Sequence, residues 1–238
     1  ILYYYRKAQG TTVTIPSFVT AVADNVFSSG FGNIAQLIIP NSVVRIGSYA
    51  FANMTDITSV YIPASVTEIG LGAFYNCTRL IQLSAPFIGG SATINGYLGY
   101  IFGDGSVTAL NQVNYVTASL ETFTLVANPA YTDIAAYAMY GLKIINLTLA
   151  DNIITIGNHA FEGNDRLRGI AFTSYIQTVG DYAFYGNTSL TSITFPTYSN
   201  ISTFGDYSFY GCTSLAALSL NLNARTIGAY AFAGCTLL

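Results

Sequence analysis

Apolar residues along this chain come singly or in alternating pairs, separated by Ser, Thr, Asn and Gly, and their spacing recurs. The stretch from Ile46 to Pro63 reads IGSYAFANMTDITSVYIP, and near-copies begin at Ile69, Ile156, Val179, Phe204 and Ile227. Aligned on their central phenylalanine, the copies have anchors at Phe51, Phe74, Phe161, Phe184, Phe209 and Phe232. The intervals are 23 from Phe51 to Phe74, then 23, 25 and 23 from Phe161 to Phe232. Weaker copies place further anchors at Phe27, Met139 and a degenerate Phe102, which makes nine candidate coils.

Each coil carries apolar residues at fixed offsets from its anchor. Six residues on stand Ile57, Leu80, Leu167, Leu190, Leu215 and Leu238. Nine on stand Val60, Leu83, Ile170, Ile193 and Leu218, and eleven on stand Ile62, Ala85, Phe172, Phe195 and Leu220. The last two sets are the inward residues of a short alternating strand. Pro16, Pro40, Pro63, Pro86 and Pro196 close that strand, because proline has no N–H for the ladder. A second inward pair follows, such as Val66 with Ile69 or Ile176 with Val179. The chain thus makes one turn per repeat and re-enters the same sheet beside its predecessor. No single turn buries its own apolar face, so neighbouring coils must stack.

Glycine precedes the anchor by four in six coils (Gly47, Gly70, Gly157, Gly180, Gly205, Gly228), while Ala23 and Ala135 replace it in two. That exchange points to close packing between coils rather than to a left-handed backbone. The Ala–Phe step is expected to open a tight helical or 3₁₀ turn with the phenylalanine plugging the core.

The phrase IPASVTEIGLGAFYNCTRLIQLSA, from Ile62 to Ala85, resembles the BspA-like leucine-rich repeat. The resemblance covers nearly the whole chain. It implies a leucine-rich-repeat solenoid of ~23-residue repeats, mostly strand and turn, coiling right-handed and curved around a parallel β-sheet. Members are typically surface proteins of oral and gut bacteria and of some protozoan parasites, linked to adhesion. On this reading residues 1–238 form one solenoid domain. Residues 1–26 hold an N-terminal cap (Leu2 to Gly10) and first strand, 27–86 are regular repeats, and 120–238 are regular again. Residues 87–119, with APFIGG and LGYIFG, resemble an insertion repeat of the same family. The array stops at Leu238 before its last strand, so a longer parent or a covering partner is expected there. The chain opens at Ile1 without Met and without a signal peptide, so an extracellular or cell-surface location comes from the resemblance alone.

Composition changes the picture in one respect. Hydrophobic residues make up 52% and charged residues 8%, against roughly 25% charged in ordinary domains. A membrane span is excluded all the same, because no apolar run approaches the roughly 18 residues a spanning helix needs. Eight Lys and Arg spread over a chain of net charge −3 leave no basic footprint for nucleic acid. Solubility rests on hydroxyls and amides.

Candidate chemistry is sparse. The position three after the anchor reads Met54, Cys77, Asn164, Asn187, Cys212 and Cys235, which suits an inward ladder of Asn pairing backbone groups and Cys packing as a small apolar residue. A Cys212–Cys235 disulfide is conceivable on adjacent coils, but in-register neighbours point the same way and free thiols are the favoured reading. His159 is the single histidine. It falls two before its anchor, where other coils place Tyr49, Tyr137, Tyr182, Tyr207 and Tyr230, so it reads as one rung of an aromatic ladder with no positioned partner for base chemistry. Tyr75, Tyr140, Tyr185 and Tyr210 form a second row one after the anchor. These rings either seal the outside of the coil or offer a recognition surface.

GFGNIA from Gly30 imitates a dinucleotide fingerprint but belongs to the turn of the Phe27 coil and lacks the required helix. The acids are unclustered, which leaves paired-carboxylate and calcium chemistry unsupported. Asn53, Asn76, Asn146, Asn187 and Asn200 open N-x-[ST] triplets, most of them in the repeat's turn for structural reasons. The outward sheet residues lie eight and ten after the anchor: Ser59 and Tyr61, Gln82 and Ser84, Thr122 and Thr124, Asn146 and Thr148, Gly169 and Ala171, Ser192 and Thr194, Ala217 and Ser219. This small, uncharged face is either a binding platform or only a solvated strand surface.

The expected function is a non-enzymatic binding or adhesion module for host extracellular or surface proteins, or glycans. The alternative is a structural spacer in a larger surface protein. No catalytic residue, cofactor or metal is assigned.

Overall fold

The computed structural model describes residues 1–2, 10–218 and 223–238. Most of the expected cap, Leu2 to Gly10, and the positions of Ser219 and Leu220 lie outside these residues. The chain forms two compact units, Ile1–Val126 and Ala127–Leu238. In both, a coil contributes a strand of three or four residues and then a strand of two, all paired in parallel.

The first unit contains β1 (Thr12–Thr14), β2 (Ala21–Val22), β3 (Gln36–Ile38), β4 (Arg45–Ile46), β5 (Ser59–Tyr61), β6 (Glu68–Ile69), β7 (Gln82–Ala85) and β8 (Thr122–Leu125). The longer strands pair β1 with β3 and, further along, β5 with β7 and β7 with β8. The shorter ones run in the order β2, β4, β6. The second unit contains β9 (Asp133–Ile134), β10 (Asn146–Thr148), β11 (Thr155–Ile156), β12 (Gly169–Ala171), β13 (Thr178–Val179), β14 (Ser192–Thr194), β15 (Thr203–Phe204) and β16 (Thr226–Ile227). There β12 pairs with β14, and β9, β11, β13, β15 and β16 form a ladder of two-residue rungs. The fold is a leucine-rich-repeat β-solenoid.

The repeat positions become the core. The anchors Phe27, Phe51, Phe74, Phe102, Met139, Phe161, Phe184 and Phe209 are all at most 2% exposed. Within each unit the rings stack from coil to coil, as Phe51 on Phe74 at 5.5 Å and Phe184 on Phe209 at 5.0 Å. Ile57, Leu80, Leu167, Leu190 and Leu215, six after the anchor, are buried as well, whereas Leu238 in the final coil is 52% exposed. Each of the five prolines follows the end of its strand, and Pro16, Pro40 and Pro63 accept the N–H three residues on, which turns the chain sharply.

The glycine four before the anchor keeps an ordinary φ; its requirement is space. A Cβ at Gly205 would meet the backbone N of Asp181 and the carbonyl carbon of Gly180 at 2.6 Å. The preceding coil's backbone passes directly against it.

In the regular coils the anchor segment is a turn and neither helical nor 3₁₀, contrary to expectation. Alternate N–H groups bond sideways to the next coil: Tyr182 to Asp206 O, Phe184 to Ser208 O and Gly186 to Tyr210 O, at 2.7–2.9 Å. The intervening N–H groups bond locally, as Ala183 to Gly180 O and Tyr185 to Tyr182 O. The physical reason is a left-handed residue two before the anchor, which no continuing helix tolerates. Tyr49, Tyr137, His159, Tyr182, Tyr207 and Tyr230 all hold φ between 53° and 58°. A second left-handed position falls two after the anchor, filled by Asn53, Asn76, Gly141, Gly163, Gly186, Gly211 and Gly234, as local sterics prefer.

Residues 87–119 follow another plan. They contain short 3₁₀ helices at Leu98–Ile101 and Gln112–Asn114. Gln112 is fully buried and ties the two together, its Oε1 accepting the Gly99 N–H and its Nε2 donating to Ala109 O.

Candidate functional site

The two tyrosine rows come together on the second unit. Two before the anchor, Tyr137, His159, Tyr182, Tyr207 and Tyr230 stack face to face at centroid distances of 4.6, 4.8, 4.9 and 5.1 Å. One after the anchor, Tyr185 and Tyr210 stack at 5.1 Å with a 6° tilt. Tyr182 and Tyr207 also touch Tyr185 and Tyr210 within their own coils, at 5.6 Å each. Tyr182, Tyr185, Tyr207 and Tyr210 are half-buried, and Tyr230 is 63% exposed. The result is a strip two rings wide, held by neighbours on both sides. Burial, followed by the facing Tyr182 and Tyr230 and the Asp206 carboxylate, pushes the Tyr207 phenol up, so this hydroxyl stays protonated as a donor at neutral pH.

His159 is a rung of this ladder, but it does have a partner. Its Nδ1 lies within hydrogen-bond contact of Glu162 Oε2, the residue that replaces tyrosine in the second row. The pair is a correction to the expectation of none. Both ring faces of His159 are nevertheless covered by Tyr137 and Tyr182.

Both units carry a row of side-chain acceptors that the sequence reading missed. Three before the anchor, Asp24, Asn158, Asp181 and Asp206 each accept, through Oδ1, the backbone N–H of the matching residue one coil on, at 2.6–3.0 Å. Recurrence of Asp or Asn at that offset was the available signal.

The predicted sheet face is built in register. Gln82 lies beside Ser59 and Thr122, and Ser84 beside Tyr61 and Thr124. In the second unit Ser192 pairs with Gly169 and Thr194 with Ala171, while Asn146 and Thr148 project from β10. Tyr61, Gln82, Asn146, Thr148, Ser192 and Thr194 are exposed; Thr122 and Thr124 are only half so. Side chains here alternate out and in as a half-buried strand requires.

The inward ladder carries one hydrogen-bonding task with two chemistries. Cys77, Asn187, Cys212 and Cys235 donate to the anchor carbonyl one coil back (Phe51, Phe161, Phe184, Phe209), and Asn164 does so to Met139 O. The three cysteines are free. Burial pushes the Cys77 thiol up to about 12. The adjacent Cys235 side chain, and then burial, pushes the Cys212 thiol up, and the adjacent Cys212 lowers Cys235. Asn187 is fully buried, which closes that triplet to modification. Among the described residues no three His, Cys, Asp or Glu are grouped to hold a metal, and no helix is long and apolar enough to cross a membrane.

The model of the BspA type leucine-rich repeat region matches residues 3–116 and 132–238, in six copies. The chain belongs to this family. A leucine-rich repeat protein from Bacteroides ovatus superposes with a TM-score of 0.56 at 23% identity, over 96% of this chain and 47% of that one. This chain therefore spans about half the length of that protein. The TpLRR protein of T. pallidum aligns at 18% identity, TM-score 0.43, over 89% of this chain and 81% of its own. A leucine-rich cell surface protein from Faecalibacterium prausnitzii aligns at 18% identity, TM-score 0.37, over 99% and 82%. No curated protein matches the chain.

Proposed function

We propose that this chain is a non-enzymatic interaction module of a larger bacterial surface protein, and that it binds a host extracellular or surface protein through the tyrosine strip of its second unit. The carrying observation is the double row in which Tyr182, Tyr207 and Tyr230 stack beside Tyr185 and Tyr210. Tyrosine joins large contact area to a polar tip and loses little rotamer freedom on binding. Stacking has already fixed these rings, so the ordering cost of association falls further. The family supports the surface setting and an adhesive role by association.

The test is binding of the purified chain to a panel of immobilised host matrix and cell-surface proteins. Saturable binding to at least one, weakened about tenfold or more in the double variant Tyr185→Ala/Tyr210→Ala, is expected. These two positions lie outside the left-handed sites, so circular dichroism should remain native. No saturable binding, or binding untouched by the double variant, overturns the assignment. Loss instead through Ser192→Arg/Thr194→Arg would move the site to the sheet face.

A further inference from the structure

The first unit holds a cavity of about 580 Å³ where the regular repeats give way to residues 87–119. Its origin lies in one position. One after the anchor, the second unit stacks Tyr185 on Tyr210. After Phe74, the next anchor is Phe102 and the residue following it is Gly103. A Cβ there would sit 2.5 Å from Val107 Cβ, so no ring can be placed at that point. Tyr75 therefore lacks the ring that would cover it from the following coil. It meets Tyr49 edge-on at 5.9 Å, is 39% exposed and lines the cavity.

The remaining walls are polar side chains over a buried apolar floor. Phe102, Cys77 and Val116 make the floor, at most 9% exposed. Asp104, Asn76, Asn114 and Tyr115 make the rim. Asp104 holds the Ser106 N–H at 2.8 Å with Oδ1 and has its second oxygen for a ligand. Asn76 donates to Asn53 Oδ1, which leaves its own carbonyl. The Asn114 amide has no partner among the described residues. Thr117 and Ser119 donate to Thr78 O and Leu80 O, so they brace the wall.

Chemistry narrows the occupant. The volume falls in the range of sites for small ligands. An anion would meet the Asp104 carboxylate. An arginine or lysine head would satisfy Asp104 but offers no acceptor to the Asn114 amide or the phenols. A neutral sugar ring has an apolar C–H face for Tyr75 and hydroxyls that both donate and accept. We propose that this cavity is a saccharide subsite, taking a neutral pyranose residue of a glycan with its C–H face against Tyr75 and its hydroxyls toward Asp104, Asn76 and Asn114.

The experiment uses the intact chain on an array of neutral hexose- and N-acetylhexosamine-terminated oligosaccharides, followed by titration of the best binder. Saturable binding is expected, weakened about tenfold by Tyr75→Ala and several-fold by both Asn114→Ala and Asp104→Asn. Asparagine at 104 keeps the Ser106 contact, so a folding defect is not anticipated; circular dichroism checks each variant. Tyr185→Ala/Tyr210→Ala should bind the sugar unchanged, which separates this site from the protein-binding strip. Absence of sugar binding, or sugar binding indifferent to Tyr75→Ala and Asn114→Ala, overturns the proposal. So does an arginine-rich peptide that binds in place of sugar and is lost with Asp104→Asn.

Discussion

Tyr207 holds φ at 55°, a conformation that costs a side-chain-bearing residue roughly 1–2 kcal/mol. Asn25 and Gly72 show that cheaper residues occupy the same position in other coils. What offsets the strain at Tyr207 is stacking on Tyr182 and Tyr230, at roughly 0.5–1.5 kcal/mol per pair. Removing the ring while keeping a Cβ leaves the strain with nothing against it. Tyr207→Ala should accordingly destabilise more than Tyr207→Gly, by about 1 kcal/mol in urea denaturation, despite the extra entropy of an unfolded glycine. Equal midpoints would mean that the aromatic strip, not the backbone, dictates the turn. Gly205 obeys the opposite logic. Its Cβ would strike backbone at 2.6 Å, whereas one at Gly186, φ 69°, meets nothing within 4 Å. Gly205→Ala should cost about 3 kcal/mol from overpacking and Gly186→Ala only about 1, read from the same denaturation curves.

At the scale of the coil, one inward position serves Asn and Cys alike because both donate to the anchor carbonyl behind them. They differ in titration. The thiol of Cys77, ordinarily near 9, is pushed by burial to about 12. Folding thus favours the neutral thiol, and this contribution is complete below pH 9 and lost as pH rises through 12. The loss is about 1.4 kcal/mol per pH unit in that window. Cys77→Asn should fold, and between pH 8 and pH 10.5 should lose about 2 kcal/mol less stability than the parent. An identical alkaline decline would deny Cys77 that role.

The same coil shows what could be read in advance. Anchors, the inward positions after them and the strand-closing prolines were legible because a repeat reports the inward side directly. The crowding at Gly205 was legible from alanine replacing its counterparts. The left-handed position was not, since tyrosine is a residue that local preference keeps out of it, and only Asn25, Gly72 and His159 hinted otherwise. The His159–Glu162 contact was hidden because it occurs in one coil. The cavity beside Tyr75 had no signal at all, because residues 87–119 follow no period and Gly103 looks like any turn glycine.

For the whole molecule, function has to be exercised almost without charge. Eight basic and eleven acidic residues serve 238 positions, and several are already paired on the surface, as Arg45 with Glu68 and Lys143 with Asp165. The proposed strip offers rings and hydroxyls to a partner, while Asp181 and Asp206 each hold a backbone N–H of the next coil. Electrostatic steering contributes mainly to association rates and is screened by salt. With little charge to screen, affinity for a protein partner of the strip should change less than about threefold between 50 and 500 mM NaCl. Ring removal should act on dissociation, since affinity within one interface is tuned mostly through the off-rate. Surface plasmon resonance of the parent and Tyr185→Ala/Tyr210→Ala at both salt concentrations measures each rate. A steep fall of the parent's on-rate with salt would place binding on the scattered charges and away from the aromatic strip.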